Sequence, residues 1–368
     1  MSQGVFAMLM RYSVSATLLV AAGLAPAALQ PSDADTAPPE HRTAVKFLIE
    51  NMPERDLQSL TREFVLENVA LAYAARKAST WAAAIPEEVF FNDVLPYASV
   101  NEARDNWRKD FAAKFGPLVK DCKSAGDAAL VLNAKIFKQV NVGYHPTRRP
   151  KPDQSPYESI AAGCASCSGL SILLIDACRA VGVPARFVGT PEWTTGKGDA
   201  NGNHAGNHSW VEIWDGQWHV LGAIEVSPLS QTWFLGNASK ADPTRPQHSI
   251  YASSFRKTGL SFPLVWDDEI KYVPAEDVTQ SYLKRIPVKL ETLLSASGPS
   301  ASARLVLRLK GRLIADTQWN GSTTVILSAG QEYEATLSRP GYDGGAFAFV
   351  APQEKDKTIS FVLHAGRD

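Results

Sequence analysis

The chain has 368 residues, 45% apolar and 20% charged, which excludes a mostly disordered protein and leaves room for two or three domains. Basic and acidic residues number 37 and 38, a formal net charge of −1, so nothing marks the chain for nucleic acid or a charged membrane surface. The cysteines are Cys122, Cys164, Cys167 and Cys178, too few for a disulfide scaffold in a chain of this length.

In chain order, residues 1–30 read as an export signal. Arg11 gives a positive flank, residues 14–24 (VSATLLVAAGL) a short apolar core, and Ala25, Ala27 and Ala28 the small residues of a cleavage site. The apolar run is shorter than the ~20 residues that a spanning helix needs. The expectation is a secreted or periplasmic protein with no stable membrane span after signal removal. Residues 31–40, polar and rich in proline, read as a linker. Residues 41–142 read as a helical N-terminal region. Leu57, Leu60, Phe64 and Val65 recur at helical spacing, as do Ala129, Leu132, Ile136 and Phe137, and Pro53, Pro86, Pro96 and Pro117 divide the stretch.

Residues 143–284 read as a core of helix followed by strands. They open on an irregular, proline-punctuated excursion at 143–156 (GYHPTRRPKPDQSP). Residues 285–368 change texture to short β-like runs at 288–294, 304–309, 323–327, 333–337 and 358–363. Turn signals at Asn320-Gly321 and Gly344-Gly345 complete the pattern of a small C-terminal β-sandwich.

Chemistry concentrates between residues 163 and 225. Leu170, Leu173, Leu174, Ala177 and Val181 form the stripe of a helix packed on a core, and Gly182 with Pro184 provide its stop. Ser166 is a suitable N-cap, so Cys167 falls in the first turn, at the positive end of the helix dipole, which favours a thiolate. Cys178 lies about three turns on and reads as core. Forty-one residues after Cys167, His208 enters an alternating run, NHSWVEIW, that reads as a strand. Asp215-Gly216 reads as a two-residue turn, and residues 217–221 as the return strand. In that register His208 faces Ala223, and Glu225 is a diagonal neighbour on the same face, able to orient the imidazole.

A cysteine opening a helix that ends in Gly-Val-Pro-Ala-Arg, a His-Ser-Trp-Val-Glu strand and a tryptophan-bearing return strand together resemble the transglutaminase-like superfamily over roughly residues 125–235. The resemblance implies an α+β fold with a papain-like core. Cys167 would be the nucleophile, His208 the general base and acid, and the substrate a peptide, protein or other amide. No cofactor or metal is implied. The family usually places an aspartate four residues after the return-strand tryptophan, here Trp218, and this sequence has Gly222 there. The stretch Gly222-Ala223-Ile224-Glu225 is similar to a bacterial subgroup with a glutamate nearby, which makes Glu225 the third member. Gln154 and Trp193 are conceivable oxyanion donors beside the backbone N–H of Cys167.

Other readings compete. Cys164 and Cys167 with His204 and His208 have zinc-ligand chemistry, although 36 residues separate the pairs. The same C-x-x-C can be a redox pair. Trp193, Trp210, Trp214, Trp218 and Trp233 can line a groove in a catalytically silent binding or scaffold domain, or simply pack a core. Residues 196–206 (GKGDANGNHAG) read as a surface loop before His208. Hydrolysis through a thioester is the leading expectation, with cross-linking transfer to an amine as the alternative.

Overall fold

The computed structural model describes residues 28–194, 206–309, 311–352 and 354–365. Residues 1–27 of the stretch 1–30 read as an export signal, and most of the glycine-rich loop with His204, within residues 195–205, lie outside the described residues. Among the described residues no helix is long and apolar enough to cross a membrane.

Five helices build the N-terminal layer: α1 (Arg42–Asn51), α2 (Glu54–Ser59), α3 (Arg62–Lys77), α4 (Thr80–Ala83) and α5 (Glu87–Asp93). They enclose a core that includes Val45, Leu48, Val69, Phe90 and Leu95. The stretch read as a linker is instead folded onto this core. Residues Pro31–Thr36 and Pro39–His41 form 3-10 turns, Leu29, Ala34 and Ala37 are buried, and the Leu29 N–H donates to the Leu57 carbonyl at 2.8 Å. Proline's fixed φ suits the first position of a helical turn, so a proline-rich stretch with interspersed alanines can pack as turns. The stripe running from Leu57 to Val65 belongs to two helices, because Leu60 is extended and Thr61 caps α3 by accepting the Phe64 N–H.

Next come α6 (Arg108–Val119), α7 (Ala125–Gln139), β1 (Gly143–Tyr144), α8 (Pro156–Ala162), β2 (Cys164–Ala165) and α9 (Cys167–Ala180). The strands β3 (Ala185–Thr190), β4 (His208–Trp214), β5 (Trp218–Leu221), β6 (Tyr251–Ser253) and β7 (Ala275–Asp277) form an antiparallel sheet in the order β5-β4-β3-β6-β7. Short helices α10 (Leu235–Ala238) and α11 (Thr279–Tyr282) flank it. Helix α9 is buried along almost its whole length, between α6 and α7 on one side and β3 and β4 on the other. Phe111, Phe115, Leu132, Leu173, Phe187 and Val211 meet in this core.

Two buried arginines tie the helical layer to α9. Arg108 donates to the carbonyls of Val94, Leu95, Pro96 and Arg179, and Arg179 donates to those of Asp93, Ala98 and Ala185. Desolvation drives the Arg108 guanidinium down to about 9.

The C-terminal strands are β8 (Arg285–Leu293), β9 (Ser302–Leu309), β10 (Arg312–Asn320), β11 (Ser322–Ser328), β12 (Glu332–Ser338), β13 (Tyr342–Asp343), β14 (Gly345–Val350), β15 (Thr358–Val362) and β16 (His364–Ala365). A four-stranded sheet, β10-β9-β12-β14, packs on a three-stranded one, β11-β8-β15, around Leu290, Leu305, Leu307, Leu337 and Phe361; β13 and β16 pair separately. The sandwich pattern expected from the sequence is present, with β10 and β14 added to the runs found there. The Asn320-Gly321 turn joins two strands that lie in different sheets, so it changes layers instead of closing a hairpin.

Candidate active site

Cys167 is the first residue of α9 and is half-buried. Ser166 holds the N-cap position, but its hydroxyl donates to the Pro152 carbonyl at 3.4 Å and does not cap the helix. The first turn of α9 therefore keeps its positive end without a side-chain cap, directly at the thiol. Cys178, on the same helix, is fully buried, and burial pushes its thiol well above the ordinary range. It is a core residue, as expected.

His208 opens β4 opposite Thr190 on β3. The residues that follow the two candidates meet: Ser168 Oγ and Ser209 Oγ lie 3.2 Å apart. The start of α9 and the start of β4 are thus brought side by side by the buried packing of helix on sheet. The imidazole sits among aromatic rings, with centroids at 4.8 Å from Phe234, 5.1 Å from Trp233, 5.8 Å from Trp210 and 6.1 Å from Trp193. Burial in this apolar surround lowers its pKa to about 4, so the ring is neutral at neutral pH. Among the described residues its buried Nε2 has no hydrogen-bond partner.

The register expected for Glu225 is corrected. Trp214 pairs with Trp218, not Gln217, so the connection is the three residues Asp215-Gly216-Gln217, with Gly216 at φ +77. A left-handed glycine in a three-residue loop shifts pairing by one residue, and a one-residue shift exchanges the faces of a strand. The ladder ends at Leu221 opposite Val211, and residues 222–225 form a turn in which the Glu225 N–H donates to the Gly222 carbonyl at 3.2 Å. Glu225 is therefore not the diagonal neighbour of His208, and no hydrogen bond joins the two among the described residues. Its Oε1 accepts the Trp233 indole N–H at 2.6 Å, and burial raises its pKa while that bond opposes the shift.

The turn nevertheless returns Glu225 to a telling place. A Cβ on Gly222 would stand 2.5 Å and 2.7 Å from its two carboxylate oxygens. The Glu225 carboxylate fills the space where a side chain at position 222 would begin. Asn133, buried on α7, pins this turn: its Nδ2 donates to the carbonyls of Gly222 and Glu225 at 2.9 and 2.6 Å, and its Oδ1 accepts the Ile224 N–H at 2.8 Å. Sequence reading missed Asn133. The available signal was a polar residue four positions after Ala129, on the stripe marked as core.

Of the two side chains considered as oxyanion donors, Gln154 is fully buried and its Nε2 donates to the carbonyls of Cys164 and Glu158 at 3.1 and 3.3 Å. Its amide N–H groups are taken up by these two carbonyls. Trp193 stacks on Trp210, with ring planes 5° apart, beside His208. Of the groove tryptophans, Trp210 and Trp193 are buried, Trp214 and Trp218 pack edge to face, and Trp233 is 65% exposed. The Trp210 indole reaches Tyr282, whose hydroxyl donates to Glu212, itself paired with Arg186 at 2.7 Å. This chain anchors the strand that carries His208. All four cysteines are free thiols, and among the described residues no three His, Cys, Asp or Glu side chains group as metal ligands. The zinc reading also needs His204, outside the described residues.

Comparison with known proteins places residues 113–223 in the family model of the transglutaminase-like superfamily. Solved structures with similarity include a candidate cysteine protease from Cytophaga hutchinsonii, at 15% identity over 41% of this chain and 48% of that one, with a TM-score of 0.30. Another is the transglutaminase of red sea bream, at 9% identity over 67% and 58% of the two chains, with a TM-score of 0.27. The chain thus spans about half the length of the first of these, 48%. No curated protein matches. Residues 113–223 are thus similar to the core of the transglutaminase-like superfamily, a superfamily that includes cysteine transferases and proteases.

Proposed function

We propose that the protein is an exported cysteine-dependent acyl-transfer enzyme that hydrolyses an amide bond through a thioester, with Cys167 as nucleophile, His208 as base and acid, and Glu225 as the third member. The observation that carries this reading is the 3.2 Å contact between Ser168 and Ser209, which sets the first turn of α9 against the first residues of β4. The imidazole, neutral at neutral pH, accepts the thiol proton as Cys167 Sγ attacks the amide carbonyl carbon. The oxyanion is held by the Cys167 backbone N–H at the uncapped helix end, and by the Trp193 indole beside His208. His208 then passes its proton to the leaving amine as the C–N bond breaks. Water, deprotonated by His208, resolves the thioester and restores the thiol. Glu225 stabilises the imidazolium by moving an oxygen from Trp233 to the unpartnered Nε2 of His208.

The test is alkylation of Cys167 by iodoacetamide, read by mass spectrometry across pH, in the protein and in His208→Ala. Fast labelling near neutral pH, slowed at least about tenfold by the substitution, is the expected result. Equal, slow labelling in both would leave a catalytically silent binding domain. Incorporation of a labelled primary amine into a glutamine-bearing protein would move the assignment from hydrolase to cross-linking transferase.

A further inference from the structure

The excursion at 143–156 is wrapped onto the start of the cysteine helix. β1 pairs in parallel with β2, Gly143 with Cys164 and Tyr144 with Ala165, and the His145 N–H donates to the Ala165 carbonyl at 2.8 Å. Further along, the Arg148 carbonyl lies 3.9 Å from Cys164 Sγ and the Pro152 carbonyl accepts from Ser166. The turn between them is held from inside, since His145 Nδ1 accepts the N–H groups of Thr147 and Arg148 at 3.2 and 2.9 Å. A stretch that reads as an irregular loop is therefore a fixed arm beside Cys167.

The arm carries Arg148, Arg149 and Lys151. Lys151 is neutralised by Glu158 at 3.0 Å. The Arg148 side chain is exposed, and neither arginine has a side-chain hydrogen bond or ion pair among the described residues. Arg149 Nε is buried with no partner, an unusual state for a guanidinium nitrogen. Tyr144, 56% exposed, is on the strand of the arm that pairs with β2: burial raises its phenol, the Cys167 sulfur acts in the same direction, and Arg149 opposes both. Asp153, the acidic residue within the arm, is buried behind it, and burial raises its carboxyl.

We infer that Arg148 and Arg149 recognise a carboxylate on the substrate, so that the amide cleaved at Cys167 belongs to an anionic peptide with an acidic group close to the scissile bond. The inference rests on Cys167 being the nucleophile. Guanidinium forks bind carboxylates in two-point geometry, and an unpaired, partly desolvated one makes a stronger site than an exposed lysine.

Two small alkylating probes test it on the full-length protein. Iodoacetate and iodoacetamide differ by one negative charge, so the ratio of their rates at Cys167 reads the local cation. The ratio is referred to glutathione. In Arg148→Gln/Arg149→Gln it is expected to fall about 3- to 10-fold, with the iodoacetamide rate within about twofold of the parent. Arg149→Lys should restore part of it, and salt should erode it. An unchanged ratio, with iodoacetamide labelling still fast and dependent on His208, overturns the carboxylate site and leaves the nucleophile intact. Slow iodoacetamide labelling independent of His208 removes the nucleophile, and the inference with it. The unchanged iodoacetamide rate also serves as the check that the double variant is folded.

Discussion

Exchanging the carboxylate between positions 225 and 222 is the sharpest probe of this site. Gly222→Asp alone puts a Cβ 2.5–2.7 Å from the oxygens of Glu225, closer than any real Cβ contact, and adds a like charge. The atoms it meets are the far end of a flexible side chain, so the clash is relieved by swinging Glu225 aside, and the main effect is to displace that carboxylate. Glu225→Ala alone removes the carboxylate proposed to swing from Trp233 onto the imidazolium. Once in contact, an opposite charge shifts a pKa by roughly 1–3 units, so on that proposal Cys167 alkylation should slow by at least about 10-fold at a given pH. In Gly222→Asp/Glu225→Ala the new aspartate enters the space the glutamate left, and most of that loss should be recovered. The assay is the pH profile of Cys167 alkylation, with thermal unfolding run alongside to separate stability from reactivity. Trp233→Phe decides the route of action: it keeps a ring near His208 but frees Glu225, so alkylation should hold or rise. A double variant no faster than Glu225→Ala would refute the substitution of one carboxylate for the other. A Trp233→Phe loss as large as that of Glu225→Ala would show that Glu225 acts only by holding the indole.

His208 is expected to leave a mark on stability against pH. Its folded pKa of about 4 lies below the ordinary value of 6.5, so between these values the unfolded chain binds a proton that the folded one refuses. Stability from this group is fully present above pH about 6.5 and declines by up to about 3 kcal/mol as pH falls through about 4, and urea titrations of the protein and His208→Gln should differ in that window. Asn133→Ala removes all three hydrogen bonds to the 222–225 turn. At about 1 kcal/mol each it should cost roughly 3 kcal/mol, and it should slow Cys167 alkylation more than an Asn133→Asp variant, which keeps the bond from Ile224.

Much of the site was legible because it depends on local pattern. An apolar stripe of period 3.6 set α9 and placed Cys167 in its first turn, and strict alternation set β4 and placed His208 at its entry. Glu225 depended on a register, and the register turned on whether the loop holds two residues or three. Gly216 in the left-handed region decided for three, a choice set by how the hairpin twists, not by its residue types. The return of the Glu225 carboxylate to the space at Gly222 needed Asn133, distant in sequence, to hold the turn. The folded turns at residues 31–41 and the arm at 143–156 were hidden for the same reason. Prolines interrupt periodicity, so such segments carry no pattern of their own, and their places are set by the surfaces against which they pack. Sequence periodicity determined which helix and strand present the cysteine and histidine; long-range packing alone decided which rings surround the imidazole and how the 143–156 arm lies against the start of α9.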